Sequence, residues 1–194
     1  MKAKLIWVVL IIFMMGTAGC DLLASPEKTV NSYLTAIEKM DFDAASKYVK
    51  QQESSASETN IADDPEGEQI LRAITQKMSH KIISSTKTGN TAQVVTSITS
   101  PDMLRIVSSV MSDLLPMAFA SAFSEGSDDD NMDQLTQQYF MNALTDPNIP
   151  LTTQEVKINL IEENGKWLIL ADDNLTNALT GNLGMLADAF NDIE

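Results

Sequence analysis

The sequence is poor in the residues on which catalytic and nucleic-acid-binding proteins most often depend. A single cysteine excludes an intramolecular disulfide and any zinc site built on several thiolates. A single histidine excludes a His-rich metal centre and leaves a Ser-His-Asp arrangement only one candidate base. Basic residues are also scarce: 13 Lys+Arg face 27 Asp+Glu, for a net charge of −14. Without clustered cations the chain cannot displace the counterions condensed on a phosphate backbone, so nucleic acid is excluded as a partner. What remains is 44% hydrophobic over 194 residues, enough for one packed domain that is neither disordered nor fibrous.

The first twenty residues carry the clearest signal. Lys2 and Lys4 precede an unbroken apolar run from Leu5 to Met15, and Gly16, Thr17, Ala18 and Gly19 then lead to Cys20. Charged, apolar and small residues in that order mark a secretory signal. The run makes a helix of roughly 17 Å, well short of the ~30 Å hydrocarbon core, which argues against a permanent span. Thr17-Ala18-Gly19-Cys20 resembles the lipobox of bacterial lipoproteins, with Thr where Leu is commonest. The resemblance implies cleavage between Gly19 and Cys20, acylation (palmitate) of the Cys20 sulfur, and a lipid anchor on the extracytoplasmic face of the plasma membrane. Two acyl chains suffice for stable anchoring where one is marginal. Residues 1–19 are therefore expected to be a signal peptide and 20–25 the lipidated cysteine with its tether. Loss of two lysines takes the charge from −14 to −16, and residues 106–194 hold all but three units of it, since only Lys157 and Lys166 offset their acids. That half should attract cations or basic partners.

Residues 26–194 read as a single α+β domain. Pro26-Glu27 opens a helix along which Val30, Tyr33, Leu34, Ile37 and Met40 recur at helical spacing, and Asp41-Phe42-Asp43 ends it and caps a second, short one. A polar segment over 51–65 leads to a helix at about 66–78. Ser79–Lys87 and Thr91–Thr99 then form a hairpin across Thr88-Gly89-Asn90, with Ala92, Val94, Thr96 and Ile98 on one face. Ser100-Pro101-Asp102 announces a long helix with Ser100 as its cap, apolar around most of its circumference and interrupted at Pro116. An acidic loop at 125–133 and a helix over about 132–144 follow. Residues 152–162 and 166–171 form a second hairpin through Asn164-Gly165, and Asp172 caps a last helix with Leu175, Leu179, Leu183, Leu186 and Phe190 on one face. The expected architecture is N-terminal helices on a curved antiparallel sheet of about four strands, a helical insertion at 101–146 between the hairpins, and a C-terminal helix at 174–190.

Pro26-Glu27, Tyr33-Leu34-x-x-Ile37, Asp41-Phe42-x-x-Ala45 and Gly165-Lys166-Trp167-Leu168-Ile169 together resemble small lipoproteins of Gram-positive bacteria that carry a domain of uncharacterised function. That domain is related to the nuclear-transport-factor-like, or cystatin-like, superfamily. The resemblance implies a bent sheet curled around the first helix with an apolar pocket inside. It implies no catalytic residues, cofactor or metal.

No set of nucleophile, base and metal ligands converges in the sequence. The acidic run 128–133 places Asp129, Asn131 and Asp133 at alternating positions, but Gln134 and Phe140 stand where a calcium loop needs Gly and Glu. The long helix carries more apolar surface than one small sheet covers, and Met111, Leu115, Phe119 and Phe123 are the candidate contact group on it. The expectation is thus a lipid-anchored, non-catalytic, extracytoplasmic binding or accessory protein with an apolar ligand or a protein partner. An enzyme using Asp172 or His80 in an apolar pocket and a purely structural envelope component are the competing readings.

Overall fold

The computed structural model describes residues 25–51, 65–122 and 129–183. Helix α1 (Pro26–Glu38) begins where the Ser25 hydroxyl accepts from the Lys28 N–H at 3.2 Å, with Pro26 in the first turn where its missing N–H costs nothing. It ends as Met40 takes φ 59° and the Asp41 N–H reaches back to the Ala36 carbonyl at 2.9 Å. Asp41 then caps α2 (Phe42–Ser46) through a 2.9 Å bond from the Ala44 N–H. After α3 (Pro65–Thr75) come β1 (Ser79–Thr88) and β2 (Thr91–Pro101), then α4 (Met103–Ala122) and α5 (Asp129–Thr145). The chain returns through β3 (Leu151–Glu163) and β4 (Lys166–Leu170), and α6 (Asp173–Leu179) follows.

The four strands form one antiparallel sheet in the order β1-β2-β3-β4, each paired with its neighbour in sequence. The two hairpins expected from the sequence therefore join through the β2–β3 ladder, and the helical pair α4–α5 is inserted between them. Asn164 and Gly165, at φ 51° and 76°, make the two-residue turn of the second hairpin. The alternation read along β2 and β3 sets the core: Ala92, Val94, Thr96, Ile98, Val156, Ile158 and Leu160 are all buried on one face.

Two apolar clusters result. The first packs Val30, Tyr33 and Leu34 of α1 and Leu175 and Ala178 of α6 onto that sheet face, with Trp167 and Ile169 of β4. On this face, where the resemblance implies an apolar pocket, side chains of α1 and α6 pack directly on the sheet. The second cluster lies off the sheet and joins Ile74 of α3, Met103 and Ile106 of α4, Leu144 of α5 and Ile149. Each fully buried Leu or Ile here is worth about 1.5–3 kcal/mol of transfer free energy.

Three expectations are corrected. Ser100 does not cap α4: Ser100 and Pro101 extend β2 opposite Thr152 and Leu151, the Ser100 hydroxyl donates to the Ala178 carbonyl at 2.9 Å, and Asp102 takes the cap by accepting from the Arg105 N–H at 3.1 Å. Helix α5 starts at Asp129, so Asp129–Asp133 lies in its first turns and is no acidic loop; residues 125–128 lie outside the described ones. The last helix does not run on through Leu183. It stops at Leu179 because Gly181 (φ 60°) and Asn182 (φ 69°) reverse the chain and the Asn182 N–H bonds back to the Asn177 carbonyl at 2.8 Å. A Cβ on Gly181 would sit 1.8 Å from the Pro101 carbonyl oxygen, so the α6 terminus is docked against the β2–α4 junction through glycine's missing side chain. Leu186 and Phe190 lie outside the described residues.

Candidate functional site

Helix α4 has two apolar faces, one buried and one exposed, and its fold position explains why. Met103, Ile106, Val110 and Leu114 recur at helical spacing and are buried, Met103 and Ile106 against Leu144 and Ile149. On the other side, Leu104 is 44% exposed, Met111 51%, Leu115 52% and Phe119 63%. These four stand at i, i+7, i+11 and i+15, one stripe of roughly 22 Å at ~1.5 Å per residue. The sheet is already covered by α1 and α6, so the buried face of α4 packs beside it, on α5, on Ile74 of α3 and on Ile149, with Met103 against Gly181, and the face from Leu104 to Phe119 is left largely exposed.

Three of the four residues expected as a contact group are thus brought together; Phe123 lies outside the described residues. The sequence reading missed Leu104 as the fourth, although its place seven residues before Met111 puts it on the same face. The stripe carries no charge of its own; the exposed Ser108 lies within it, and the exposed Ser112 and Arg105 flank it. Polar hydroxyls within and beside a large apolar strip suit a surface that is wet until covered. By length and composition Met103–Ala120 is apolar enough to cross a bilayer, but its buried face is committed to packing within the domain.

The two residues of the enzymatic reading, His80 and Asp172, each make hydrogen bonds that tie elements of the fold together. His80, at the start of β1, donates from Nδ1 to Glu38 Oε1 at 2.7 Å, and its Nε2 lies 3.2 Å from Asn31 Oδ1, so the ring bridges β1 to α1. Asp172 accepts the Leu175 N–H at 2.9 Å and caps α6. Among the described residues no group of three or more His, Cys, Asp or Glu side chains is placed to hold a metal ion. Burial raises the Tyr33 phenol above its usual value. Glu27, in the first turn of α1, is lowered by its backbone hydrogen bond and by the hydroxyls of Ser85 and Ser25.

Among the described residues several open grooves are present. One of about 360 Å³ runs between α3 and α5 past Arg72, Lys77 and Met141. Another of about 340 Å³ is floored by Tyr33 and Ile37, with Phe42 at its edge. A third of about 300 Å³ lies along β3 and α6, lined by Gln154, Glu155, Val156 and Lys157 on one side and by Asn174, Asn177 and Asn182 on the other. Sequence reasoning did not find this last groove.

No family model matches the chain, and no curated protein matches it. Among solved structures it is similar to YcdA, described as a candidate lipoprotein, from Bacillus subtilis subsp. subtilis str. 168. The two share 12% identity at a TM-score of 0.45, over 81% of this chain and 47% of that one, so this chain spans less than half the length of the solved protein it resembles.

Proposed function

We propose that this chain is a lipid-anchored extracytoplasmic accessory protein without catalytic activity of its own, and that it engages a protein partner through the exposed face of α4. The observation that carries the reading is the uncharged stripe of Leu104, Met111, Leu115 and Phe119, with Met111, Leu115 and Phe119 each more than half in solvent. A stripe at helical spacing is the form in which a helix offers anchors to an apolar groove of another protein. Cys20, within Thr17-Ala18-Gly19-Cys20, would fix the domain to the outer surface of the plasma membrane.

The test is capture of a partner from detergent-solubilised membranes by the full chain and by Phe119→Asp. The reading expects capture by the parent and its loss in the variant. A folded variant that captures the same partner would overturn it. The anchor is tested separately: Cys20→Ala should abolish fatty-acid labelling, and persistent labelling would refute the lipidation of Cys20.

A second reading has α4 lie on the membrane itself, and the apolar length of Met103–Ala120 favours it. The acidic character of residues 106–194 opposes it on anionic lipid. Sedimentation with vesicles of neutral and of anionic lipid separates the two: the first reading expects the protein without its anchor to bind neither.

A further inference from the structure

The sheet has three stretches of strand edge, and the chain treats them differently. Along β1 the edge is broken by a bulge between Ile82 and Ser84 and carries Lys81 and Lys87, devices that keep an edge from pairing. The outer edge of β4 is covered, because the Lys50 N–H donates to the Ile169 carbonyl at 2.9 Å and the Ile169 N–H to that of Tyr48 at 2.8 Å. The third stretch is half of β3. Strand β4 pairs only with Asn159–Glu163, so the earlier residues of β3 have β2 on one side and, among the described residues, no strand on the other.

The register identifies which backbone groups this leaves. The Glu162 N–H donates to the Asn90 carbonyl at 2.7 Å and the Asp102 N–H to the Pro150 carbonyl at 2.9 Å. Both bonds belong to even-numbered residues of the returning strand, and in an antiparallel ladder the bonded pairs alternate, so the even residues face β2. Thr153, Glu155 and Lys157 therefore aim their N–H and C=O groups outward, and no described turn, loop or side chain bonds those N–H groups. The groove of about 300 Å³ runs along this edge, with Asn174, Asn177 and Asn182 of the α6 segment as its far wall.

We propose that this half-edge of β3 is an acceptor for an extended polypeptide, which adds as a short fifth strand between β3 and α6. Alternating donors and acceptors about 6.8 Å apart on one line match the backbone of an extended peptide. The wall opposite consists of carboxamides, which favour polar side chains at alternate positions of the guest. Glu155 and the neighbouring Asp173 outnumber Lys157, so an uncharged or basic segment fits and an acidic one is repelled. The groove faces four residues of β3, Gln154–Lys157, roughly 14 Å at ~3.4 Å each, and the 2.9 Å bond from Gln154 Nε2 to Asn182 Oδ1 ties its two walls together at one end. Strand β4 occupies the same lane and closes one end of it, which suits a short segment or a chain terminus better than the long β3 of a second copy. This site is separate from the α4 stripe and does not rest on it.

The experiment pans a phage-displayed library of linear heptapeptides against the full chain and carries the selected peptides forward as synthetic probes. Binding should slow amide hydrogen exchange at Thr153, Glu155 and Lys157 at least tenfold. N-methylating alternate peptide residues should abolish binding in one phase and spare it in the other, because only one edge of the guest faces β3. Glu155→Pro, which removes one outward N–H and leaves the β2 ladder whole, should weaken binding at least tenfold with the circular dichroism spectrum of the folded protein unchanged. The proposal is overturned if no peptide is selected, or if both N-methylation phases bind alike. It is equally overturned if the three amides already exchange slowly in the free protein, which would mean that its own residues 184–194 fill the slot.

Discussion

If the outer face of α4 is a free surface and not a piece of core, substitutions on its two faces should differ sharply in cost. Phe119→Ser and Leu114→Ser make the comparison on one helix. Phe119 is 63% exposed, so only about a third of the ~1.5–3 kcal/mol for complete burial of a Phe is lost. Phe and Ser have similar helix propensity, which adds almost nothing. The expected cost is ~1 kcal/mol or less. Leu114 is 6% exposed. Its truncation should cost about 2–5 kcal/mol for lost transfer and the cavity, with more for a hydroxyl left without a partner. Urea unfolding followed by circular dichroism measures both, and the slope m should be unchanged if each variant unfolds from the same native state. A loss above ~2 kcal/mol for Phe119→Ser would refute the reasoning, because a residue of that exposure cannot forfeit so much unless the rest of the chain covers it.

Three further outcomes follow from the packing. Thr96 is fully buried and its hydroxyl has no hydrogen-bond partner, so Thr96→Val should raise stability by about 1 kcal/mol in the same urea titration. Gly181→Ala should destabilise by several times that, ~3 kcal/mol or more, since the new Cβ meets the Pro101 carbonyl at φ 60°; Gly165, with open space around it, should take alanine at only the smaller cost of its positive φ. Tyr33 has a phenol raised by burial, so the folded state holds its proton after the unfolded chain has lost it. Stability should be full below the ordinary tyrosine value of 10.0 and fall as pH rises above it, and Tyr33→Phe should flatten that alkaline limb of a melting-temperature profile.

Much of the fold is legible where local and long-range requirements coincide. The alternation of Val156, Ile158 and Leu160 and the Asn164-Gly165 turn mark β3 and its hairpin without any knowledge of neighbours, and Asp41 and Asp172 cap the helices they precede. Legibility fails where a partner decides. Ser100-Pro101-Asp102 has the composition of a helix start, but pairing with Thr152 and Leu151 holds the first two residues in β2 and leaves the cap to Asp102. The apolar spacing from Leu175 to Leu183 reads as one helix because the contact of Gly181 with Pro101 is invisible in sequence. The α4 stripe was recognisable as an excess of apolar faces, whereas the β3 slot depends on β4 being shorter than β3, which the unequal strand lengths hint at.

The central claim is that the α4 stripe meets another protein at the membrane surface. Its most direct test is a photo-crosslinking residue placed at position 115 in the anchored protein in intact cells, with position 105, flanking the stripe, as the control. The account expects a discrete protein adduct from position 115, lost on Phe119→Asp and absent from position 105. Adducts to lipid alone, or only to the protein's own chain, would contradict it.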